Sequence, residues 1–412
     1  MVHLSKSIIS EKGTELSGKT VIFCVTSSVA IYYAPQIARE LMRHGAEVVF
    51  VSSEEAQSLI GSKLLHWASG NSPIGELSGE TEHISLVGLP EMKDNRIVLV
   101  YPTTANTLCK IASGIADTPP TLIISTALGN SVPVIIVPAM HLALYQNPAT
   151  QKALSTLTEM DLTVIPPLIQ GDKAHIASLE ETIATVIKKA THPTMIGKKV
   201  LITTGATREY FDAIRFISNP SSGKMGIAIA NEVWNHGGDP TLVVGHLDVP
   251  CPSWINCIHV TSSQEMYNSC VNELREKVYD TVILAAAMGD FAPSSRSPMK
   301  TSSTGGISLD LQPTKKLSDI IREISPSSRI ILFKAEYGVE RQDLIARARE
   351  KLIKTSSDLI VANDLAEPDA GFSVDTNRVI ILTKENDDPE EFFGTKDALA
   401  RKIVKWLTRK KP

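Results

Sequence analysis

Short runs of Val and Ile alternate with helical patterns along the whole chain. Runs such as TVIFCV, RIVLVYP, TLIIST and VPVIIVP are apolar at nearly every position, which suits strands buried on both faces of a sheet. Between the first two strands, Ala34, Ile37 and Leu41 lie on one helical face, and Gly45 ends that helix. Strands that alternate with helices indicate a parallel sheet with helices on both sides. Ligands of such sheets bind at the carboxyl ends of the strands.

This alternation begins again near the middle of the 412 residues. A basic stretch that contains Pro and Gly, ATHPTMIGKK, follows a helical pattern, and KVLITTGATRE is typical of a new first strand. The later runs TLVVG, INCIHV, TVILAAAMGD, RIILFKAE, DLIVAND and RVIILT supply further strands. We therefore predict two sequential doubly wound α/β domains with parallel sheets of flavodoxin or Rossmann type, residues 1–192 and 193–412.

Composition and charge exclude several classes of protein. The net charge is −4, from 41 basic and 45 acidic residues, which gives no basic surface for nucleic acid or anionic lipid. No apolar run has the length of a membrane span, and the first residues lack the apolar segment of a signal peptide. None of the five cysteines forms a CxxC pair, and Cys251 and Cys257 suit loop or core positions better than a metal site. We expect a cytoplasmic, reduced protein without membrane or nucleic-acid partners.

The loop RFISNPSSGKMG, residues 215–226, lies between the first strand of the second domain and its helix. Its Gly-Lys pair is similar to the end of a P-loop, but Ser218 stands where that motif needs Gly, and Met225 where it needs Ser or Thr. The connection is roughly twenty residues long, and connections of that length are usually functional. A helix that begins there offers free N–H groups to an anion. A ligand-binding loop is the favoured interpretation; the alternative is a surface loop whose glycine eases helix packing.

Several motifs together resemble one enzyme family. TTGATREYFDAIRFISNPSSGKMGIAIA, AAAMGDF, FKAE and DLIVANDL with GFSVDTN resemble the ligase half of bifunctional phosphopantothenoylcysteine decarboxylase/phosphopantothenate–cysteine ligases. EHIS, PTTANTLCKIASGIAD and PAMH resemble the flavin-dependent decarboxylase half. The resemblance runs nearly end to end in the family's domain order. It implies that residues 193–412 activate 4'-phosphopantothenate with CTP and couple it to cysteine, and that residues 1–192 use FMN to decarboxylate the product to 4'-phosphopantetheine in coenzyme A biosynthesis.

The resemblance also implies site residues in the first domain. His83 matches the family's catalytic histidine, and an imidazole that titrates near neutrality suits proton transfer or the orientation of a carboxylate. His141 stands where the family has a residue that contacts the substrate carboxylate. The residues expected to bind FMN follow strand-like runs and carry hydroxyl or amide groups: Thr26, Ser27, Ser28, Thr103, Thr104, Asn106, Thr107 and Ser125.

In the second domain, the resemblance implies that Asn219 binds the activated acyl intermediate. It also implies that Lys300, in a basic segment, is catalytic. Asp290 matches an aspartate of the nucleotide site, predicted here at the carboxyl end of a strand, and Phe333 matches the residue beside the base. The remaining predicted contacts to substrate or nucleotide are Ser221, Ser222, Gly223, Lys351, Lys354 and Asn363. For Lys224 two interpretations stay open: its side chain contacts a phosphate, or it is a solvated lysine of the first helical turn. Mg²⁺ is expected with the triphosphate, without assigned protein ligands.

Departures from the family pattern leave alternatives open. Ser27 and Ser28 replace glycines that are usual in bacterial members, and His141 replaces an asparagine. PPLIQGDKAHIASLEE lacks the cysteine of the family's mobile flap, so that Lys173 or His175 becomes a possible proton donor. A flavin-binding ligase or regulatory protein with an inactive decarboxylase site is the first alternative. A nicotinamide-dependent oxidoreductase is disfavoured because neither first strand is followed by GxGxxG. By analogy with the family, we expect a higher homo-oligomer.

Overall fold

A computed structural model describes residues 3–171, 173–303, 305–367, 371–372, 374–384 and 388–409, without the side chain of residue 173. The chain divides into two compact units, Met1–His192 and Pro193–Pro412. Each unit has its own hydrophobic core on both faces of a central sheet. Among the described residues, no helix is both long and apolar enough to cross a membrane.

The first unit is built around a five-stranded parallel sheet in the order β2-β1-β3-β4-β5. Its strands are β1 (Thr20–Val25), β2 (Glu47–Ser52), β3 (Arg96–Thr103), β4 (Val134–Pro138) and β5 (Thr163–Val164), and an antiparallel hairpin adds β6 (Leu168–Gln170) and β7 (Lys173–His175). Its helices are α1 (Ala34–Arg43), α2 (Glu54–Leu59), α3 (Ser62–Ser69), α4 (Ala105–Ala112), α5 (Pro119–Gly129), α6 (Leu142–Tyr145), α7 (Pro148–Glu159) and α8 (Leu179–Ala190). Shorter helical turns cover Leu4–Ile8, Val29–Tyr33, Ile84–Gly88 and Pro90–Met92.

The strands of this sheet are buried on both faces, as their sequence predicts. Along β1, Phe23 packs into the core on one side, whereas Ile22 and Cys24 pack into the core on the other. A strand with solvent on neither face has no position for a polar side chain, which explains its continuous apolar run. The strand order is that of flavodoxin-like folds.

The prediction of a strand at TLIIST is wrong, because this run lies inside helix α5. Pro119 and Pro120 occupy the first helical positions, where a missing N–H costs nothing. Thr118 and Thr121 form a reciprocal capping box around them, which fixes the start of a helix rather than a strand. Ser125 is therefore an exposed residue of α5 and does not lie at the end of a strand.

The second unit contains an eight-stranded sheet in the order β12-β11-β8-β13-β16-β17-β18-β19. Its strands are β8 (Lys199–Thr204), β11 (Asp239–Val244), β12 (Asn256–His259), β13 (Thr281–Leu284), β16 (Arg329–Glu336), β17 (Leu359–Asp364), β18 (Thr376–Thr383) and β19 (Glu390–Thr395). Two small hairpins pair β9 (Arg208–Tyr210) with β10 (Phe216–Ser218), and β14 (Phe291–Pro293) with β15 (Leu311–Pro313). The helices are α9 (Lys224–Asn235), α10 (Ser263–Glu276), α11 (Leu317–Ile324), α12 (Arg341–Thr355) and α13 (Lys396–Leu407).

The first six strands of this sheet are parallel, which agrees with the predicted doubly wound fold. β18 and β19 add two antiparallel strands at one edge. No helix is found between β17 and β18 in the described parts of that connection, and a parallel pair needs a crossover that is usually helical. The apolar run RVIILT therefore predicts the strand but not its direction.

Cys251 and Cys257 form a disulfide, which corrects the expectation of reduced cysteines in this loop. The bond ties the loop that follows β11 to the edge strand β12, in which Cys257 lies. Cys24 and Cys270 are buried free thiols, and Cys109 is a half-buried one. The CPSWINC spacing contains no feature that distinguishes a short disulfide loop from two separate thiols.

Helix α9 approaches strand β8 unusually closely. A Cβ on Gly226 would lie 2.3 Å from Thr204 Oγ1 and 2.4 Å from Thr204 Cβ. The same Thr204 hydroxyl donates a hydrogen bond of 2.8 Å to the carbonyl of Gly223, the residue that precedes the helix. Gly223 has φ +76°, a left-handed conformation that favours glycine. The two glycines of SSGKMG thus bring the start of α9 against the end of β8.

We expect Gly226→Ala to lower the free energy of unfolding of the second unit by about 1–3 kcal/mol, because the added methyl overlaps Thr204. Gly306→Ala is the matched control, since no atom lies within 4 Å of a Cβ at that position. Urea unfolding followed by tryptophan fluorescence reports mainly on this unit, which contains Trp234, Trp254 and Trp406 of the four tryptophans. Equal midpoints for the two variants would contradict the close packing.

Candidate functional site

A pocket of about 630 Å³ lies in the second unit, beside the start of α9 and the carboxyl ends of β13, β16 and β17. This volume falls within the range of small-molecule sites. The loop 219–226 forms one wall, the segment 284–290 after β13 forms another, and residues 314–318 before and within α11 form a third. The sequence prediction of a ligand loop at this position agrees with the presence of the pocket.

The predicted loop residues meet in this pocket. Asn219, Ser221, Ser222 and Gly223 all line it. The side-chain amide of Asn219 donates to the carbonyls of Ala287 at 3.4 Å and Met288 at 3.3 Å, so it bridges two walls. The Ser222 hydroxyl donates to the carbonyl of Phe372 at 2.6 Å. Ser222 therefore holds the wall together, and the main-chain N–H groups at the start of α9 form a donor set that suits an anion.

The long connection after β8 is not an open loop. The hairpin of β9 and β10 occupies much of it, and its turn is organised by the buried carboxylate of Asp212. Asp212 accepts hydrogen bonds from the main-chain N–H groups of Ile214, Arg215 and Thr301, which hold its pKa below the ordinary value despite burial. Asp212 thus joins this hairpin to the segment of Lys300, a link that the sequence motifs do not indicate.

Lysines dominate the charge of the pocket: Lys224, Lys315, Lys316, Lys334, Lys351 and Lys396 line it. Lys351 Nζ lies 2.8 Å from Ser318 Oγ and 3.6 Å from Asp319 Oδ1. Burial lowers the pKa of the Lys351 ammonium, and the like charges of Lys316 and Lys354 act in the same direction against the attraction of Asp319. Such a concentration of like charge favours a polyanionic ligand.

Four lysines of the pocket have carboxylate partners, among them Lys334, whose Nζ lies 2.6 Å from Glu336 Oε1. Asp290 Oδ1 lies 3.2 Å from Lys316 Nζ, and Asp375 Oδ1 lies 2.6 Å from Lys224 Nζ. Asp290 lies beyond the end of β13 and next to β14, which corrects its predicted position at a strand terminus. Its side chain is 71% exposed, so a cation from solvent can reach its carboxylate.

Of the other residues predicted for the second unit, some line the pocket and some do not. Phe333 and Asn363 line the pocket from β16 and β17. Lys300 and Lys354 are exposed, and neither belongs to the described lining. The motifs missed Lys316, Lys396 and Asn377, which do line the pocket. Asn377 stands in the quoted GFSVDTN, so that motif contained a signal for one of the three.

In the first unit, two predicted clusters meet at the ends of adjacent strands β1 and β3. Thr26 Oγ1 donates to the carbonyl of Pro102 at 2.7 Å and accepts from the N–H of Thr104 at 3.3 Å. Thr104 caps α4 by accepting from the N–H of Thr107 at 3.2 Å. Thr103 is buried, and its hydroxyl donates to the carbonyl of Val100 at 2.8 Å. These threonines therefore shape the strand ends.

The side chains of Ser27 and Asn106 are exposed beside this cluster. Ser28 begins the turn Val29–Tyr33, where its hydroxyl accepts from the N–H of Ala30. Exposed hydroxyl and amide groups, together with the N-terminus of α4, form a donor set that suits a phosphate.

His83 lies half-buried at the start of the wide helical turn Ile84–Gly88. The amide of Asn130, at the end of α5, donates to the carbonyls of Val87 at 2.9 Å and Leu89 at 2.7 Å. Helix α5, which the sequence interpretation missed, thereby supports the segment of His83. No hydrogen bond among the described residues joins His83 to Thr26 or Thr104.

His141 is exposed and caps α6, because its Nδ1 accepts from the N–H of Ala143 at 3.3 Å. His175 lies in the β6–β7 hairpin, and the side chain of Lys173 falls outside the described part of the structure. Among the residues that the structure describes, no group of three or more His, Cys, Asp or Glu side chains could hold a metal ion.

Each of the two units matches a known protein family. A family model described as flavoprotein matches residues 9–191, and one described as DNA/pantothenate metabolism flavoprotein C-terminal domain matches residues 195–410. The coenzyme A biosynthesis bifunctional protein CoaBC of Thermococcus kodakarensis is 40% identical, covering 93% of this chain and 94% of that protein. The chain belongs to the CoaBC family. The CoaBC protein of Methanocaldococcus jannaschii is 35% identical, with 98% of this chain and 97% of that protein covered.

Membership of the CoaBC family confirms the resemblance and establishes a bifunctional enzyme of coenzyme A biosynthesis, with decarboxylase and ligase activities. It also establishes a flavoprotein, which supports FMN as the cofactor. Another relative, a cysteine/cysteine sulfinic acid decarboxylase from an unknown prokaryotic organism, is 36% identical, with 75% of this chain and 88% of that protein covered. Family membership does not assign individual residues to either reaction.

We expect Lys351→Met to weaken the binding of tripolyphosphate about tenfold, because the half-buried Lys351 faces the pocket and its charge is poorly screened by water. Lys354→Met is the control, since Lys354 is exposed on the same helix and lies outside the pocket lining. Calorimetric titration at low and high salt measures both. Equal losses in the two variants would show that Lys351 contributes only to the overall charge of the unit.

Proposed function

We propose that residues 193–412 join 4'-phosphopantothenate to cysteine at the expense of CTP, and that residues 1–192 decarboxylate the product with FMN. The observation that carries the ligase assignment is the lysine-lined pocket at the start of α9, in which the loop RFISNPSSGKMG forms one wall. The decarboxylase assignment rests on the flavoprotein family match and on the phosphate-binding donor set beside β1 and β3.

Amide formation from a carboxylate requires activation of that carboxylate. Attack of the carboxylate on the α-phosphate of CTP forms an acyl-cytidylate and releases pyrophosphate, and the amine of cysteine then displaces cytidine monophosphate. Lys316 and Lys351 provide positive charge for the triphosphate, and the N–H groups at the start of α9 stabilise charge that develops on the phosphate. Phe333 offers an aromatic surface for the base.

Asn219 is assigned to the acyl intermediate. Its amide lies between the loop before α9 and the main chain after β13, where it can turn a donor toward a bound acyl phosphate. We assign Mg²⁺ to the triphosphate rather than to a protein cage, because Mg²⁺ commonly keeps several waters and binds through substrate phosphates. Asp290 is the acidic residue of the pocket wall after β13 and the protein group that we assign near this cation.

In the first unit, FMN would supply the oxidation of the thiol-bearing carbon that gives the carboxylate an electron sink, followed by the return of those electrons. Ser27, Asn106 and the start of α4 would bind the flavin phosphate. His83 is assigned to orient the carboxylate or to move a proton on its imidazole nitrogen. His141, exposed at the start of α6, is assigned to the substrate carboxylate.

One alternative keeps the ligase and flavin binding but not decarboxylation. It is favoured by the β6–β7 hairpin, which contains no cysteine. In the enzyme, His175 or Lys173 of this hairpin would have to donate the final proton. A higher homo-oligomer, proposed from the family, would supply neighbouring subunits to the flavin site.

The test is incubation of the purified protein with 4'-phosphopantothenate, cysteine and Mg²⁺, with CTP or ATP supplied separately. Mass analysis should detect phosphopantothenoylcysteine with CTP, followed by 4'-phosphopantetheine and carbon dioxide. Ligation without decarboxylation would select the alternative. The absence of both products would remove the proposal.

We expect His83→Asn to abolish carbon dioxide release while FMN remains bound, because His83 is assigned to chemistry and not to cofactor retention. The absorbance spectrum of the flavin measures retention, and ligation in the second unit is the internal control. Undiminished decarboxylation in this variant would remove His83 from the site. Loss of the flavin spectrum would instead assign His83 to cofactor binding.

We expect Asn219→Asp to slow amide formation by about a hundredfold or more, because a neutral donor is replaced by a negative charge that faces the phosphate. CTP binding should change much less, since the lysines of the pocket remain. Asn268→Asp makes the same chemical change at an exposed position of α10 and should leave both quantities unaltered. Normal ligation in Asn219→Asp would leave the loop with a structural role alone.

A further inference from the structure

One lysine of the ligase pocket is held differently from the others. Lys396, the first residue of α13, is only 7% exposed. Its ammonium group donates to the main-chain carbonyls of Gly371 at 3.4 Å and Phe372 at 3.1 Å, and to that of Val374. An ammonium group has three N–H donors, so these three acceptors can use all of them.

The segment that accepts from Lys396 also holds the start of α9. The carbonyl of Phe372 accepts from the Ser222 hydroxyl as well, at 2.6 Å. The carboxylate of Asp375 pairs with Lys224, and the carbonyl of Asp375 accepts from the N–H of Lys396 at 2.9 Å. The described residues of 371–375 are therefore bonded to the first turn of α13 on one side and to the start of α9 on the other.

Burial of this charge is not needed to attach α13 to its unit. Leu399, Ile403 and Val404 already pack that helix into the core. A buried ammonium group is costly unless its hydrogen bonds are made, and here they are made to one short stretch of main chain. The arrangement is best explained by a requirement for that stretch to keep its shape.

We propose that Lys396 is a positioning residue of the ligase, which acts through the carbonyls of Gly371, Phe372 and Val374 to fix Ser222 and Lys224 where the nucleotide phosphates bind. The inference rests on the proposed ligase function and adds a residue that does not belong to the quoted motifs. Lys396 itself lines the pocket, so its positive charge also faces the ligand.

A second observation indicates that this wall meets a ligand. Asn377 follows the same segment in β18, lines the pocket and is only 6% exposed. Its Oδ1 has no hydrogen-bond partner within the described part of the chain. Buried amide oxygens are normally paired, so a bound molecule that donates to Asn377 would complete the wall.

The first test compares Lys396→Met with Lys405→Met, which removes an exposed lysine of the same helix. We expect the KM for CTP to rise about tenfold or more in Lys396→Met, because hydrogen bonds to a charged group are worth at least that factor. Decarboxylation of supplied phosphopantothenoylcysteine and the values for Lys405→Met should not change. An unaltered KM in Lys396→Met would overturn the inference.

The second test uses pH and does not depend on the Met variant being stable. Burial lowers the pKa of Lys396 to about 8, with Lys224 acting in the same direction and Asp375 against it. Lys396 is therefore charged at pH 7 and loses its charge as the pH rises through about 8. Lys224 and Asp375 are the charged side chains that face it from α9 and from the segment 371–375.

We expect the KM for CTP of the wild-type enzyme to rise between pH 7 and pH 9, as Lys396 is deprotonated. In Lys396→Arg, the KM for CTP should rise less between pH 7 and pH 9, because a guanidinium group remains charged over this range. Identical pH profiles would overturn the inference. Wild-type protein that makes no phosphopantothenoylcysteine would instead remove the proposed function on which the inference rests.

Discussion

The contact between helix α9 and strand β8 determines the shape of the ligase pocket. Thr204 occupies the space that a side chain at position 226 would need, and its hydroxyl holds the carbonyl of Gly223. The start of α9 is thereby fixed near the switch point of the sheet, between β8 and β13, where doubly wound folds bind their ligands. From this position Ser222 donates a hydrogen bond to the carbonyl of Phe372, which joins the start of α9 to the segment that contains Phe372.

Part of the positive charge of the pocket is only loosely neutralised by the protein. Asp290 pairs with Lys316, and Asp375 pairs with Lys224, but both carboxylates are largely exposed. Exposed ion pairs contribute about 0–1 kcal/mol each, so a phosphate group can take over a lysine at small cost. Buried Lys396 is different, because its three acceptors are main-chain carbonyls, which carry no net charge.

Much of the fold follows from the sequence, and the reasons for the exceptions are local. A strand buried on both faces leaves a continuous apolar run, which predicts β1, β3 and β4 directly. TLIIST has the same composition but lies behind two prolines and a capping threonine, signals that outweigh the apolar run. The direction of β18 depends on how the chain returns after β17, which a strand pattern does not contain.

Residues of the pocket lining could be predicted where a sequence motif reflects a requirement of the main chain. The glycines and Asn219 of the α9 loop fall into this class, because left-handed backbone and close approach require particular residues. Lys396 belongs to the opposite class. A lysine that follows the N-cap Thr395 has the pattern of a solvated first-turn residue, and only the long-range return of residues 371–375 buries it. Lys300 and Lys354, which the resemblance assigned to the site, do not belong to the described lining of the pocket, and their roles stay predictions.

In the first unit, threonine side chains stabilise the strand ends, and main-chain groups are left as hydrogen-bond donors. Thr26 and Thr103 were predicted as direct ligands, but both are buried and both hydroxyls donate to main-chain carbonyls of β3. The hydrogen bond of Thr26 joins the end of β1 to β3, whereas that of Thr103 lies within β3. Recognition of a phosphate then falls mainly to main-chain N–H groups and the helix dipole. Because such donors do not depend on side-chain identity, serines at positions 27 and 28 are compatible with phosphate binding at this place.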